Sequence, residues 1–236
     1  MAVHFTGPVL FTGKNSPGAW WTNQPVSNNT DYVTYMDDFT GIALDSTNDW
    51  TVVKDSGATV AIGADTLNGV VVITSAATTD NDGGSIQGNE IFKVQTGKDI
   101  WFETRIQCND ADQTDLCFGL TVNFVTNPEN MLTAADRIVF QVDDGNASIL
   151  CKTEKDGTET STDSGVDLVD DTYVTLGFWA NSTGSVQFFI DRQLVATHTT
   201  DIVDDEELTI GAMSLSGSAS GTRATTIDYL FCAADR

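Results

Sequence analysis

The chain has 236 residues, with 11 Lys and Arg against 34 Asp and Glu and a formal net charge of −23. That length suffices for one large domain burying about 70% of the unfolded chain's surface, and the acidic excess repels phosphate backbones and anionic lipid, so neither nucleic acid nor a membrane surface is an expected partner. No apolar run approaches the roughly 18 residues of a membrane span, and the opening MAVHFTGPVLFTGK has neither the basic start nor the unbroken apolar stretch of a signal peptide, so folding in a cytoplasm is expected.

Residues 1 to 36 read as an extended arm. Gly7-Pro8, Gly13, Ser16-Pro17-Gly18, Pro25 and the polar run from Ser27 to Asp31 leave no space for a regular element. The arm nevertheless carries Phe5, Val9, Leu10, Phe11, Trp20 and Trp21, which is too apolar for a solvated tail. These six are the candidate partner-binding residues. They either fold back on their own domain or are buried by a neighbouring subunit or another protein.

Residues 37 to 236 read as one all-β domain. Asp37-Asp38-Phe39 leads to Trp50-Thr51-Val52-Val53, and Ala58 to Ile62 with Val70 to Thr74 make a hairpin turning at Asp65 to Gly69. Ile100, Phe102, Thr104 and Ile106 alternate with Trp101, Glu103, Arg105 and Gln107; across the Asn109 to Asp115 loop, Leu116, Phe118, Leu120, Val122 and Phe124 supply the core face of the expected partner strand. Asn127 to Ala135 holds the one plausible helical turn. Ile138, Phe140 and Val142 then make a strand that turns at Asp143 to Asn146, and Asp156-Gly157 turns again. The clearest signal is the meander from Thr172 to Thr197, where Val174, Leu176 and Phe178, then Val186, Phe188 and Ile190, hold one face with period two around the turn Asn181 to Gly184. Leu208, Ile210 and Ala212 form a strand, Ser214 to Gly221 a loop, and Ile227, Tyr229 and Phe231 one face of the closing strand. Two antiparallel sheets packed face to face are the natural architecture.

Chemistry-bearing patterns are few. Glu154-Lys155-Asp156-Gly157-Thr158-Glu159 has the Glu-x-Asp-x-x-Glu spacing of jelly-roll glycosidases, whose two glutamates flank a glycosidic bond. Lys-Asp-Gly-Thr is turn chemistry, however, and places the glutamates on opposite legs of a solvated hairpin tip. Asp80-Asn81-Asp82-Gly83 and the Asp110, Asp112, Asp115 loop are oxygen-rich, but neither has a complete Ca²⁺ ligand set. The two histidines, His4 and His198, are expected at the surface or in partner contacts, with no nucleophile elbow nearby. The four cysteines lack metal spacing and read as buried free thiols, Cys108 and Cys117 being the best disulfide candidates. Trp101, Trp179 and Phe189 lie opposite the core set, either to stack sugar rings or to pack beneath the other sheet. From the residues, no metal, no cofactor and no enzymatic activity are expected.

The segment Tyr173-Val174-Thr175-Leu176 to Val186, Phe188-Phe189-Ile190-Asp191 and Leu194-Val195 resembles the middle of concanavalin-A-like (laminin-G-like) jelly rolls, which usually carry Asp-Gly where this chain has Asp191-Arg192. Asp37-Asp38-Phe39 with Trp50, Ile100 to Ile106, Arg137 to Val142 and Ile227 to Phe231 fall in the order that family implies. The phrase Phe5 to Phe11 and the ending Ile227 to Leu230 with Ala234-Asp235-Arg236 also resemble structural proteins of tailed bacteriophages. That second resemblance implies a capsid decoration or cement protein on the virion surface. It would commonly be a homotrimer, with the arm held between subunits or against the major capsid protein. A glycan-binding module is the alternative, and a glycoside hydrolase a further one.

Overall fold

The structure, a computed structural model, describes residues 32–236 apart from 65, 77–78, 125 and 219–220. Among the described residues, fifteen strands form two antiparallel sheets. The first sheet contains β3 (Thr59–Ile62), β4 (Val71–Thr74), β6 (Ile100–Cys108), β11 (Val174–Asn181), β12 (Ser185–Ile190), β13 (Gln193–His198) and β15 (Ala224–Asp235) in the order β13-β12-β11-β6-β15-β4-β3, with β1 (Tyr32–Asp37) also paired to β15. The second contains β2 (Thr51–Lys54), β5 (Gly83–Phe92), β7 (Thr114–Thr121), β8 (Arg137–Val142), β9 (Ser148–Lys155), β10 (Thr158–Asp167) and β14 (Leu208–Ser216) in the order β10-β9-β8-β7-β14-β5-β2. This is the expected all-β jelly-roll sandwich. Residues 32–36, read from sequence as the end of the arm, belong to β1, because Tyr32-Val33-Thr34-Tyr35 is a β-favouring run that finds a partner in β15.

The core lies between the sheets, and the alternation seen in the sequence supplies it. Phe102 and Phe178 stack at 5.0 Å on the first sheet, and Phe188 meets Phe140 of the second edge-on at 5.3 Å. Such pairs contribute about 0.5–1.5 kcal/mol beyond the area they bury. At the start of the domain, Trp50 donates from Nε1 to Asp37 Oδ2 (2.7 Å) and packs on Phe39. Gly69 fits against this corner because it has φ +75° and because a Cβ there would stand 2.6 Å from the Asp38 carbonyl oxygen.

Three expectations about the sheets are corrected. β6 and β7 are not partners: β6 pairs with β11 and β15, and β7 with β8 and β14. The loop between them crosses from one sheet to the other through a 3-10 turn, Ala111–Gln113, tied to the first sheet by Asn109 N–H on Ala224 O and to the second by Gly217 N–H on Gln113 O. Cys108 and Cys117 therefore sit in different sheets as buried free thiols, like Cys151 and Cys232. Secondly, β7 ends at Thr121, and Phe124 turns onto the outward face of its sheet rather than into the core. Thirdly, the register of β15 shifts between Ile227 and Tyr229, so Ile227, Leu230 and Cys232 point inward while Tyr229 and Phe231 face out. β14 also runs on to Ser216, into the expected loop.

Candidate functional site

The hairpin β9–β10 contains the Glu-x-Asp-x-x-Glu segment. Asp156 (φ 51°) and Gly157 (φ 74°) make the two-residue turn that the sequence implies. Its consequence is that Glu154 and Glu159 become directly opposed cross-strand neighbours, with side chains on the same, outward face of the second sheet. Arg137 on β8 is the next member of the same row, directly opposite Glu154. Its guanidinium, 4% exposed, donates from Nε to Glu154 Oε2 and from Nη2 to Glu159 Oε2, each at 2.7 Å. Lys152 Nζ reaches Glu159 Oε2 at 3.3 Å. The tip itself, Asp156 to Thr158, is exposed and the glutamates stand on opposite legs, as expected; below it, two carboxylates and two cations form a compact, partly buried network that the sequence did not show, in which charge-assisted bonds are stronger than neutral ones.

The remaining donors of Arg137 hold the floor of the site. Nη1 reaches the carbonyls of Met131 and Leu132 and Gln141 Oε1 (3.1 Å), and Gln141 donates in turn to Asp143. Met131 closes a 3-10 turn, Pro128–Met131, which lies in the segment read from sequence as helical and is capped by Asn127 Oδ1 accepting from Glu129 N–H. The segment containing this turn folds back over the outward face of the second sheet, seating Phe124, Met131 and Leu132 on Cys117, Val139, Met213 and Leu215. Gly211 makes room, since a Cβ there would stand 2.9 Å from the Phe124 ring. Beyond the hairpin tip, a cleft of about 400 Å³ is lined by Thr96, Lys155, Asp156, Asn181, Asp201 and Asp204 among others. Lys155 pairs there with Asp204 and Asp205.

The other sequence candidates are placed as follows. His198 is buried between the sheets, not exposed: Nδ1 lies 2.9 Å from Thr153 Oγ1 and Nε2 3.0 Å from Thr162 Oγ1, both on the second sheet. Because the Thr153 hydroxyl also donates to Thr200 O, it accepts from Nδ1–H, and neutral Nε2 accepts from Thr162. Burial lowers the pKa of this imidazole. Trp101, Trp179 and Phe189 do not pack beneath the other sheet. They share the outward face of the first sheet with Phe231 and Tyr229. Of the acidic loops, Asp110 pairs with Arg223, and Asp115 Oδ1 accepts from Asp144 N–H at 2.8 Å. Among the described residues, no three His, Cys, Asp or Glu side chains converge as a metal site. Phe5, Val9, Leu10, Phe11, Trp20 and Trp21, and with them the expected homotrimer and capsid contact, lie outside the described residues.

No family model matches the chain, and no curated protein does. Solved structures do. An endo-1,3-beta-glucanase from Streptomyces sioyaensis superposes with a TM-score of 0.64 at 13% identity, covering 89% of this chain and 99% of its own. The carbohydrate recognition domain of Emp46p gives 0.58 at 12%, covering 83% and 94%. An endo-beta-1,4-glucuronan lyase from the fungus Trichoderma reesei gives 0.58 at 11%, covering 84% and 94%. The fold is the concanavalin-A-like jelly-roll sandwich of these proteins. The expectation of a chain without enzymatic activity is corrected by this finding, since two of the three are polysaccharide-cleaving enzymes and the fold is one that carries such activity. Nothing in these neighbours points to a phage origin or a capsid role.

Proposed function

We propose that this protein acts on a neutral glucan chain laid across the outward face of the second sheet, with Glu154 and Glu159 as the carboxylates that meet the sugar. The observation that carries this reading is the row Arg137, Glu154, Glu159 across β8, β9 and β10. A turn that seemed in the sequence to separate the glutamates instead sets them side by side. Paired carboxylates are the groups with which glycosidases attack and protonate a glycosidic bond, and the similarity to a 1,3-beta-glucanase and a glucuronan lyase supports a polysaccharide ligand. Carboxylate acceptors beside the Lys152 ammonium also suit the vicinal hydroxyls of a pyranose.

The two glutamates differ. The Glu154 side chain is 12% exposed and that of Glu159 30%. Glu159 is the one that a sugar reaches first from solvent, while Glu154 lies deeper against Arg137. The net charge of −23 decides between ligands, because a polyuronate is repelled where an uncharged glucan is not.

The test is to mix the full chain with laminarin and mixed-linkage glucan, and with alginate and polyglucuronate as polyanionic controls, following retardation in affinity gels and release of reducing ends. Neutral glucans should be bound and cut and the polyanions ignored, and Glu159→Gln should lower the effect tenfold or more, about 1.4 kcal/mol. Parental behaviour in both Glu154→Gln and Glu159→Gln, or no response to any neutral glucan, would refute the assignment.

A further inference from the structure

The outward face of the first sheet carries a cluster as well buried as a core. Trp101 is 4% exposed, Phe189 7%, Phe231 8% and Ala233 0%, with Tyr32, Trp179 and Tyr229 packed around them. At its centre stands Glu103, 7% exposed, cross-strand to Gly177 on one side and Phe231 on the other. Its Oε1 accepts from Tyr229 Oη at 2.6 Å. Among the described residues its Oε2 has no partner, and neither do Trp101 Nε1 and Trp179 Nε1. Two indole donors and one carboxylate acceptor are thus withdrawn from water on one face, and leaving such groups unpaired is unfavourable. Among the described residues, the cluster draws on strands of this one sheet, β1 included.

We propose that residues 1–31 of the same chain dock over this face, seating Phe11, Trp20 and Trp21 against Trp101, Trp179, Phe189 and Phe231. Three observations favour this occupant. The chain enters the described structure on this face: Tyr32 opens β1, and its ring stands edge-on to Trp101 at 6.2 Å. The reach is ample, since 31 residues span up to about 100 Å and the four neighbouring strands β12, β11, β6 and β15 only about 15 Å. The chemistry matches too. The segment brings large apolar side chains that need burial, and its backbone brings what the face lacks, carbonyls for the two indole N–H groups and an N–H for Glu103 Oε2. This docking is independent of the glucan reading, which uses the opposite sheet.

The experiment uses the full chain with p-benzoylphenylalanine in place of Phe11, irradiated as an equal mixture of ¹⁴N- and ¹⁵N-labelled protein and mapped by mass spectrometry. Docking within one chain predicts cross-links to peptides containing Trp101, Phe189 or Phe231, with both halves carrying the same isotope. Half of the cross-links being isotopically mixed would give the face to a second copy, and cross-links elsewhere or none would leave it to a ligand from outside the chain; either overturns the proposal. In parallel, hydroxyl-radical labelling of Trp101 and Trp179 should rise at least threefold in a Phe11→Ser, Trp20→Ser, Trp21→Ser chain with unchanged β-type circular dichroism. Unchanged labelling in that folded chain also overturns it. If the triple variant does not fold, the cross-links decide.

Discussion

Asp115 shows how one side chain responds to the acidity of the whole. It is the second residue of β7, 5% exposed, where burial first, and then the fields of Asp144, Asp143 and Asp80, push its pKa up to about 6 against the opposing bond from Asp144 N–H. A carboxyl whose folded pKa lies above its unfolded value stabilises the fold fully below the unfolded value and loses that contribution as pH rises through about 6. Asp115→Asn keeps the Oδ1 acceptor and removes the charge. It should therefore raise Tm by a few degrees at pH 8, on the order of 1 kcal/mol, and leave Tm unchanged at pH 4. Equal shifts at both pH values would show that ionisation is not the cause. His198 works with the opposite sign: its lowered pKa means that its contribution is present above the ordinary histidine value and is lost as pH falls.

Among elements, Arg137 ties the segment ending at Leu132, five residues before it, to the two legs of the β9–β10 hairpin, 17 and 22 residues after it. Arg137→Met leaves Glu154 and Glu159 facing each other with only Lys152 for compensation. The expected cost is about 3–5 kcal/mol by urea unfolding. Adding Glu154→Gln and Glu159→Gln should restore more than half of it, because the orphaned charges go as well. A triple variant as unstable as Arg137→Met would mean that the lost bonds to Met131 and Leu132 dominate. The strands at this site were legible in sequence, and so was the spacing of the glutamates. Their shared partner was not, because Arg137 is 17 and 22 residues away and meets them only through the register of three strands. The same reason hid the neighbours of β6 and β7. Period two says that Phe102 and Phe118 both face a core, but it cannot say that they face it from opposite sheets. His198 was misread because its hydroxyl partners, Thr153 and Thr162, lie 45 and 36 residues off on the other sheet.

For the molecule as a whole, composition remains the strongest constraint. With a net charge of −23, the folded state carries a self-repulsion that salt screens over about 10 Å at 0.1 M. Raising NaCl from 10 to 500 mM should lift Tm at pH 8 by several degrees, and sodium sulfate at equal ionic strength should do so further through its effect on apolar burial. A Tm indifferent to NaCl would mean that the charges are spaced too widely to interact.

β15 lies inside the first sheet, bordered by β6 along one side and by β4 and β1 along the other. Tyr32 pairs with Asp235 across nearly the whole described chain. During synthesis, β1, β3 and β4 leave the ribosome early and have no route to β6 until residues 224–235 have emerged behind them. Their edges stay open for the length of translation, so the sandwich closes only after the ribosome has passed its last strand, by slow long-range pairing. A nascent chain arrested before residue 224 would then present those edges to whatever chaperone or neighbouring polysome reaches them first.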